Sequence, residues 1–274
     1  MVEYVIANTT VVPVRENPSE GAEQLTQLLF GEVCEVLDRL PRWTKIRSTL
    51  DGQEGWVDFK MVSLASSLIA SSPHRLDTIV ATPMAAATPM DGGADLLLTL
   101  GTRLPNYSHG TFEVLGQQYL INPTCVSTAQ RSTGEADLQQ SDLQRSDLAT
   151  IAQSLLNAPY LWGGKNLMGI DCSGFTQVVY AAMGVNLLRN AREQMTQGEL
   201  VSSLSESLTG DLAFFDHADR DPKATNISHV GLLLSPTEII HCSGCVHIDS
   251  IDEEGIHLSD GSLTHHLVQI KRYL

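Results

Sequence analysis

Aromatic residues are scarce in this chain, 5% of 274 positions, and charged residues reach only 18%. A core must therefore be built mainly from aliphatic side chains, and a hydrophobic content of 42% is enough for two or three small domains. Basic residues are the scarcer sign, 17 Lys and Arg against 32 Asp and Glu, for a formal net charge of −15. That deficit argues against nucleic acid and anionic membranes as partners. Long apolar runs are missing too. None approaches the roughly 18 residues of a membrane-spanning helix, so no membrane insertion is expected. The opening residues, Met1-Val2-Glu3-Tyr4-Val5-Ile6-Ala7-Asn8, contain neither a basic nor an apolar leader segment. A cytoplasmic location is the simplest expectation; a chain trimmed behind an export signal would read the same and would be periplasmic. Cysteines are few and odd in number (Cys34, Cys125, Cys172, Cys242 and Cys245), which is not a secreted disulfide framework.

What is present is concentrated in one stretch. Ala158-Pro159-Tyr160-Leu161-Trp162-Gly163-Gly164 precedes Gly169-Ile170-Asp171-Cys172-Ser173-Gly174-Phe175. Phe175, Val178, Val179 and Ala182 then recur at helical spacing, and Gly184 stands where a helix-ending glycine belongs. Cys172 is thereby placed at a helix N-terminus, where unpaired N–H groups and the helix dipole favour a thiolate. Downstream, Ser228-His229-Val230-Gly231 and Ile240-His241-Cys242 set two histidines on β-like apolar runs that could present them to the cysteine. A cysteine nucleophile needs such a base, and the base needs an orienting partner. The bland alternative is a buried structural thiol with two core histidines.

In order, PYLWGG, IDCSGF, GDLAFF, SHVGLLL and IIHCSG resemble the signature of the NlpC/P60 cysteine peptidases, bacterial enzymes that cut peptidoglycan stem peptides. The resemblance covers about residues 145 to 274. It implies Cys172 as nucleophile, His229 as base and His241 as the group orienting that base. The first half is similar to the bacterial SH3 modules of one subgroup, the γ-D-glutamyl-L-diamino acid endopeptidases. These hydrolyse the bond after γ-D-Glu in peptides with a free N-terminal L-Ala, which implies a small muropeptide substrate, no cofactor and, without an export signal, a role in wall-peptide recycling. The oligomeric state is left open.

The same resemblance assigns Tyr160 to the active site, as a donor to the substrate backbone or the oxyanion. Asp171 and Ser173 would face the substrate ammonium, although Asp171 could equally be a turn or capping residue. Arg189 would fork onto the α-carboxylate of γ-D-Glu, against the alternative of a solvated surface arginine. Leu188 and Asn190 depart from the proline and aspartate usual around it. Glu23, in the first SH3-like segment, is a second candidate anchor for the ammonium. Cys242-Ser243-Gly244-Cys245 with its flanking His241 and His247 suggests zinc or a redox pair, but no second well-spaced pair accompanies it, so no metal is expected.

The expected architecture is an α+β, papain-like catalytic domain preceded by two small all-β SH3-like barrels. Residues 1–70 form the first barrel, with short strands around Val11–Arg15, Trp43–Ile46 and Glu54–Val57, and residues 71–128 a second, divergent one. Ser71-Ser72-Pro73 marks the boundary. Residues 129–145, rich in Ser, Gln and Asp, read as a linker, and residues 146–274 as the catalytic domain, whose first helix is capped by Ser146 or Asp147. Strands are expected at 212–215, 229–234, 238–241, 246–248 and 267–270. His217–Asn226 reads as a surface loop beside the base. Two other functions fit the same residues: an amidase or acyltransferase using the same triad, and a wall-fragment binding protein.

Overall fold

The computed structural model describes residues 2–65, 78–128, 138–217 and 226–274. The Ser71-Ser72-Pro73 boundary, most of the expected linker and residues 218–225 of the polar loop lie outside them. The chain forms two compact units. One comprises Met1–Arg131 with Trp162–Leu167 and Ala181–Asn186; the other comprises Ser132–Leu161, Met168–Tyr180 and Leu187–Leu274.

Among its described residues up to 128, the first unit is sheet apart from turns and two short 3-10 helices. Strands β1 (Tyr4–Ala7), β2 (Val11–Arg15), β3 (Gln24–Leu29), β4 (Val33–Arg39), β5 (Trp43–Ser48), β6 (Glu54–Asp58) and β7 (Val62–Leu64) make one antiparallel sheet in the order β3-β2-β6-β5-β4-β1-β7. Alternation decides which side is buried: Val12 and Val14 of β2 are fully inside while their neighbours are partly exposed. They pack with Val5, Leu28, Ile46 and Val57. Strands β8 (Thr78–Val80), β9 (Met84–Pro89), β10 (Leu96–Thr99), β11 (Thr111–Val114), β12 (Gln117–Ile121) and β13 (Val126–Thr128) form a four-stranded sheet, β10-β9-β12-β11, and a separate β13-β8 pair. Their core, with Leu98, Phe112 and Ile121, also takes in Ile6 and Phe30 from the first sheet.

Residues 162–167, including the short strand β14 (Lys165–Asn166), are held by polar contacts in this unit. Gln27 Oε1 accepts from the Lys165 backbone N–H at 2.9 Å and from Asn166 Nδ2 at 2.8 Å. Lys165 Nζ lies 3.1 Å from a Glu32 carboxylate oxygen, both residues 4% exposed. Burial raises the Glu32 carboxyl above its ordinary range even against that lysine.

The second unit opens with α1 (Leu138–Gln153), which begins within the expected linker, ahead of Ser146 and Asp147. Arg145 explains the difference. It is 8% exposed, donates to the Thr209 carbonyl at 2.9 Å and lies 3.6 Å from Asp211, so a polar segment is tied down by one buried cation. After β15 (Gly169–Ile170) come α2 (Cys172–Ala182) and the single turn α3 (Ala191–Gln194). Gly184, with φ of +78°, provides the left-handed residue that ends α2. Strands β16 (Glu199–Val201), β17 (Leu212–His217), β18 (His229–Ser235), β19 (Glu238–Ser243), β20 (Cys245–Ile251), β21 (Gly255–His257) and β22 (Leu263–Arg272) follow. Their order is β16-β22-β17-β18-β19-β20-β21, and β21 also pairs with β22. The sheet therefore closes into a six-stranded barrel with β16 attached outside. Ala213, Phe215, Leu233, Ile239, Ile251, Ile256 and Ile270 form one of its cores. Leu212, Phe214, Val230, Leu232 and Ile240 point the other way and are also 0% exposed, so both faces of these strands are covered.

Candidate active site

Cys172 is the first residue of α2, and the residue before it builds the helix start. Asp171 Oδ1 accepts from the Gly174 backbone N–H at 2.6 Å, which makes Asp171 the helix cap. Its carboxylate is also gripped by Arg189, with Nη1–Oδ1 at 3.1 Å and Nη2–Oδ2 at 2.6 Å, and Arg189 Nη1 donates to Ser173 Oγ at 2.9 Å. Arg189 is 1% exposed and Asp171 6%. Neither the solvated arginine nor a fork reaching out alone describes this geometry, because the Arg189 guanidinium is spent on Asp171 and Ser173. Gln194 braces the same turn, its Nε2 donating to the Ser173 carbonyl at 3.0 Å.

The histidines are brought together by strand register. Residues paired across antiparallel strands share a face, and Phe215 is opposite His229, Gly231 opposite His241, and His241 opposite His247. His229 Nε2 and His241 Nδ1 are 2.8 Å apart. Gly231 is what lets His241 sit there: a Cβ on it would lie 2.9 Å from the His241 Cβ and 2.6 Å from Ile239 Cδ1. The His265 ring stacks on His229, with centroids 4.4 Å apart. The backbone N–H groups of Ser173 and of Val230, the residue after His229, lie near the Cys172 sulfur and favour its thiolate. The histidine strand thus runs beside the nucleophile.

Burial pushes the Cys172 thiol up to about 12, and the Asp171 charge adds to the rise; the Val230 and Ser173 N–H groups and Arg189 pull the other way. The helix N-terminus alone favours a thiolate, but desolvation wins here. Tyr160, 37% exposed, is also held above its ordinary range by burial and by the Cys172 and Asp171 charges, so its phenol is a donor at neutral pH.

Sequence reasoning did not find Asp249. Its Oδ2 is 3.1 Å from His241 Nε2 and 3.1 Å from His247 Nε2. The polar alternation His247-x-Asp249 within β20 is the pattern that could have revealed it. Burial holds His241 below the ordinary imidazole range, and the His241 bond holds Asp249 below the ordinary carboxylate range. Among the described residues, His241, His247 and Asp249 are the one group whose ligand atoms, all within 4.8 Å of one another, could hold a metal ion. The Cys-x-x-Cys pair is not part of it. Cys242 is buried, with its thiol pushed up to about 12 by desolvation and its Sγ donating to the Ile170 carbonyl at 3.2 Å. Glu23, in the first unit, accepts from the Trp162 indole N–H at 2.8 Å.

Known proteins resemble both parts of the chain. The NlpC/P60 family matches residues 157–261 and the bacterial SH3 domain matches residues 10–63. A γ-D-glutamyl-L-lysine dipeptidyl-peptidase of Bacillus subtilis (strain 168) is 29% identical over 229 residues, 79% of this chain and 71% of that protein. One of the same name from Bacillus cereus (strain ATCC 10987) is 26% identical over 230 residues, again 79% of this chain but 66% of the relative's length. The crystal structure of an NlpC/P60 family protein from Bacillus cereus ATCC 10987 covers 99% of each chain with a TM-score of 0.80 at 20% identity, a likeness of fold. Residues 157–261 therefore carry an NlpC/P60 cysteine peptidase domain, and residues 10–63 a bacterial SH3 domain.

Proposed function

We propose that the chain hydrolyses the γ-D-Glu–diamino acid bond of small peptidoglycan stem peptides that begin with a free L-Ala, using Cys172, His229 and His241. The observation that carries the reading is the junction of two elements. The sulfur at the start of α2 has the Val230 N–H beside it, and His229, the preceding residue, lies 2.8 Å from His241. The names of the two relatives support the bond cleaved.

With its thiol held high by burial, Cys172 rests in the neutral form, so the thiolate is generated during attack. His229 takes the thiol proton as the sulfur adds to the γ-carbonyl carbon, then gives it to the leaving amine; water hydrolyses the thioester. The developing oxyanion is met by the backbone N–H of Cys172 and by the Tyr160 phenol. Asp171 and Ser173 bind the L-Ala ammonium. Arg189 acts through them, fixing both side chains rather than meeting a substrate carboxylate directly. The barrel with the nucleophile's helix against it corresponds to a papain-like α+β domain, and β8 to β13 to a second, divergent SH3-like unit. The role we assign is recycling of trimmed wall peptides in the cytoplasm.

Mass-spectrometric digestion of L-Ala-γ-D-Glu-meso-diaminopimelate and its N-acetylated form tests the reading. Cleavage of the free-amine peptide alone is expected. Equal cleavage of both would refute the ammonium site, and cleavage of neither would refute the peptidase assignment in favour of acyl transfer to another acceptor.

A further inference from the structure

His241 meets His229 through Nδ1, at 2.8 Å, and turns its Nε2 toward β20. On that strand His247 stands directly opposite His241, and Asp249, two residues further on, returns to the same face. Backbone pairing alone therefore brings two imidazoles and a carboxylate together, with one ligand atom of each within 4.8 Å of the others. Asp249 Oδ2 is central, 3.1 Å from His241 Nε2 and 3.1 Å from His247 Nε2. An ion about 2.1 Å from both atoms of such a pair subtends an angle of about 95° between them, close to the tetrahedral range of zinc. His247, with 31% of its side chain exposed, is the ligand best able to adjust around the ion. Its Nδ1 already meets the Cys245 carbonyl oxygen at 2.7 Å, the kind of outer partner that metal-ligating histidines hold on their other ring nitrogen. Two nitrogens and one carboxylate oxygen suit zinc and similar transition-metal ions, whereas magnesium and calcium prefer oxygen alone. Among the described residues, the ion-pair partners of Asp249 are these two histidines, and the net charge of −15 favours cations over anions.

We propose that His241, His247 and Asp249 form a zinc site, with Nε2 of each histidine and Oδ2 of Asp249 as ligands, and that an ion held there inhibits the peptidase. The inhibition rests on the Cys172–His229–His241 reading; the site itself does not. His241 is the ligand that joins the two. It is 1% exposed, so an ion enters past His247 at the rim and is bound last by the inner ring. Coordination draws that ring onto the ion and away from the position in which its Nδ1 holds His229, so the base loses its orienting partner. Three protein ligands leave the fourth position of the ion to water.

The test uses the full chain with zinc chloride as the probe and two readouts. The first needs no peptide: equilibrium dialysis and titration calorimetry measure the zinc bound by wild type, Cys172→Ala, His247→Ala and Asp249→Ala, with magnesium as the control ion. Wild type and Cys172→Ala should each hold zinc at this site and ignore magnesium. His247→Ala and Asp249→Ala should lose it, since removing a ligand costs more than the roughly 10- to 100-fold that follows loss of an outer-shell partner. The second readout is cleavage of the free-amine tripeptide with and without zinc. Zinc should inhibit the wild type and a chelator should restore it, while His247→Ala should keep its zinc-free rate and resist zinc. No zinc on the wild type, or equal zinc on wild type and both folded ligand variants, would overturn the site. Equal inhibition of wild type and His247→Ala would move the effect to another group, such as the Cys172 sulfur, and overturn the inhibitory role, as would cleavage stimulated by zinc. A wild type that binds zinc through these ligands and cleaves no peptide even with chelator present would uphold the site and refute the peptidase reading instead.

Discussion

Replacing Arg189 with methionine removes a cation that is 1% exposed and makes three hydrogen bonds to Asp171 and Ser173 at 2.6 to 3.1 Å. Its volume is roughly kept, so the main consequence is the loss of the guanidinium paired with the Asp171 carboxylate, itself 6% exposed. Breaking a buried pair from one side costs about 3–5 kcal/mol. At about 2–4 °C per kcal/mol for a unit of this size, the midpoint of thermal unfolding should fall by roughly 6–20 °C. A second substitution, Asp171→Asn, removes the stranded charge and keeps an oxygen for the Gly174 N–H. The double variant should therefore recover part of the loss, with a coupling energy of about 2–3 kcal/mol. Urea and thermal denaturation of the wild type, both single variants and the double variant measure this cycle. An Arg189→Met protein within 1 kcal/mol of wild type, or strictly additive effects, would refute the claim that Arg189 is a structural clamp.

Three further outcomes are expected. Lys165→Met leaves Glu32 buried without its partner; because burial already raises the Glu32 carboxyl, the penalty should be small near pH 4.5 and grow as the pH rises through the folded-state value, read from urea midpoints at pH 5 and 8. Gly231→Ala drives a methyl to 2.6 Å from Ile239 and 2.9 Å from the His241 Cβ, so it should cost about 1–3 kcal/mol and lower kcat more than it raises KM, checked by denaturation and steady-state kinetics. The depressed His241 and Asp249 groups both bind protons more readily unfolded than folded. Stability of the second unit should be full above the ordinary imidazole value of 6.5 and fall as the pH drops toward 4; a flat or rising urea midpoint over that range would contradict it.

The nucleophile's helix was legible because Phe175, Val178, Val179 and Ala182 carry the helical period, and Gly184 ends it where a left-handed residue is needed. The histidine strands were legible because His229 and His241 stand in short apolar runs, and their pairing follows once those runs become β18 and β19. The sign of the thiol's perturbation was not legible: it depends on how deeply the helix start is buried, a tertiary property that outweighs the local dipole. For Arg189 the sequence offered a fork onto a substrate carboxylate or a solvated surface arginine, whereas its partner Asp171 lies 18 residues upstream and meets it only in the fold. Residues 138–145 were hidden by composition, since a polar helix segment tied by Arg145 resembles a linker when only hydrophobic spacing is counted. Asp249 was missed because its contact with His241 depends on the β19–β20 register, which no short motif encodes.

The most direct test of the central claim is digestion of L-Ala-γ-D-Glu-L-Lys by wild type and by Cys172→Ala, followed by mass spectrometry. Release of the L-Ala-γ-D-Glu dipeptide by the wild type alone, with the variant folded and still binding the peptide, is the expected result. Release by both proteins at comparable rates would contradict the assignment of Cys172 as the nucleophile.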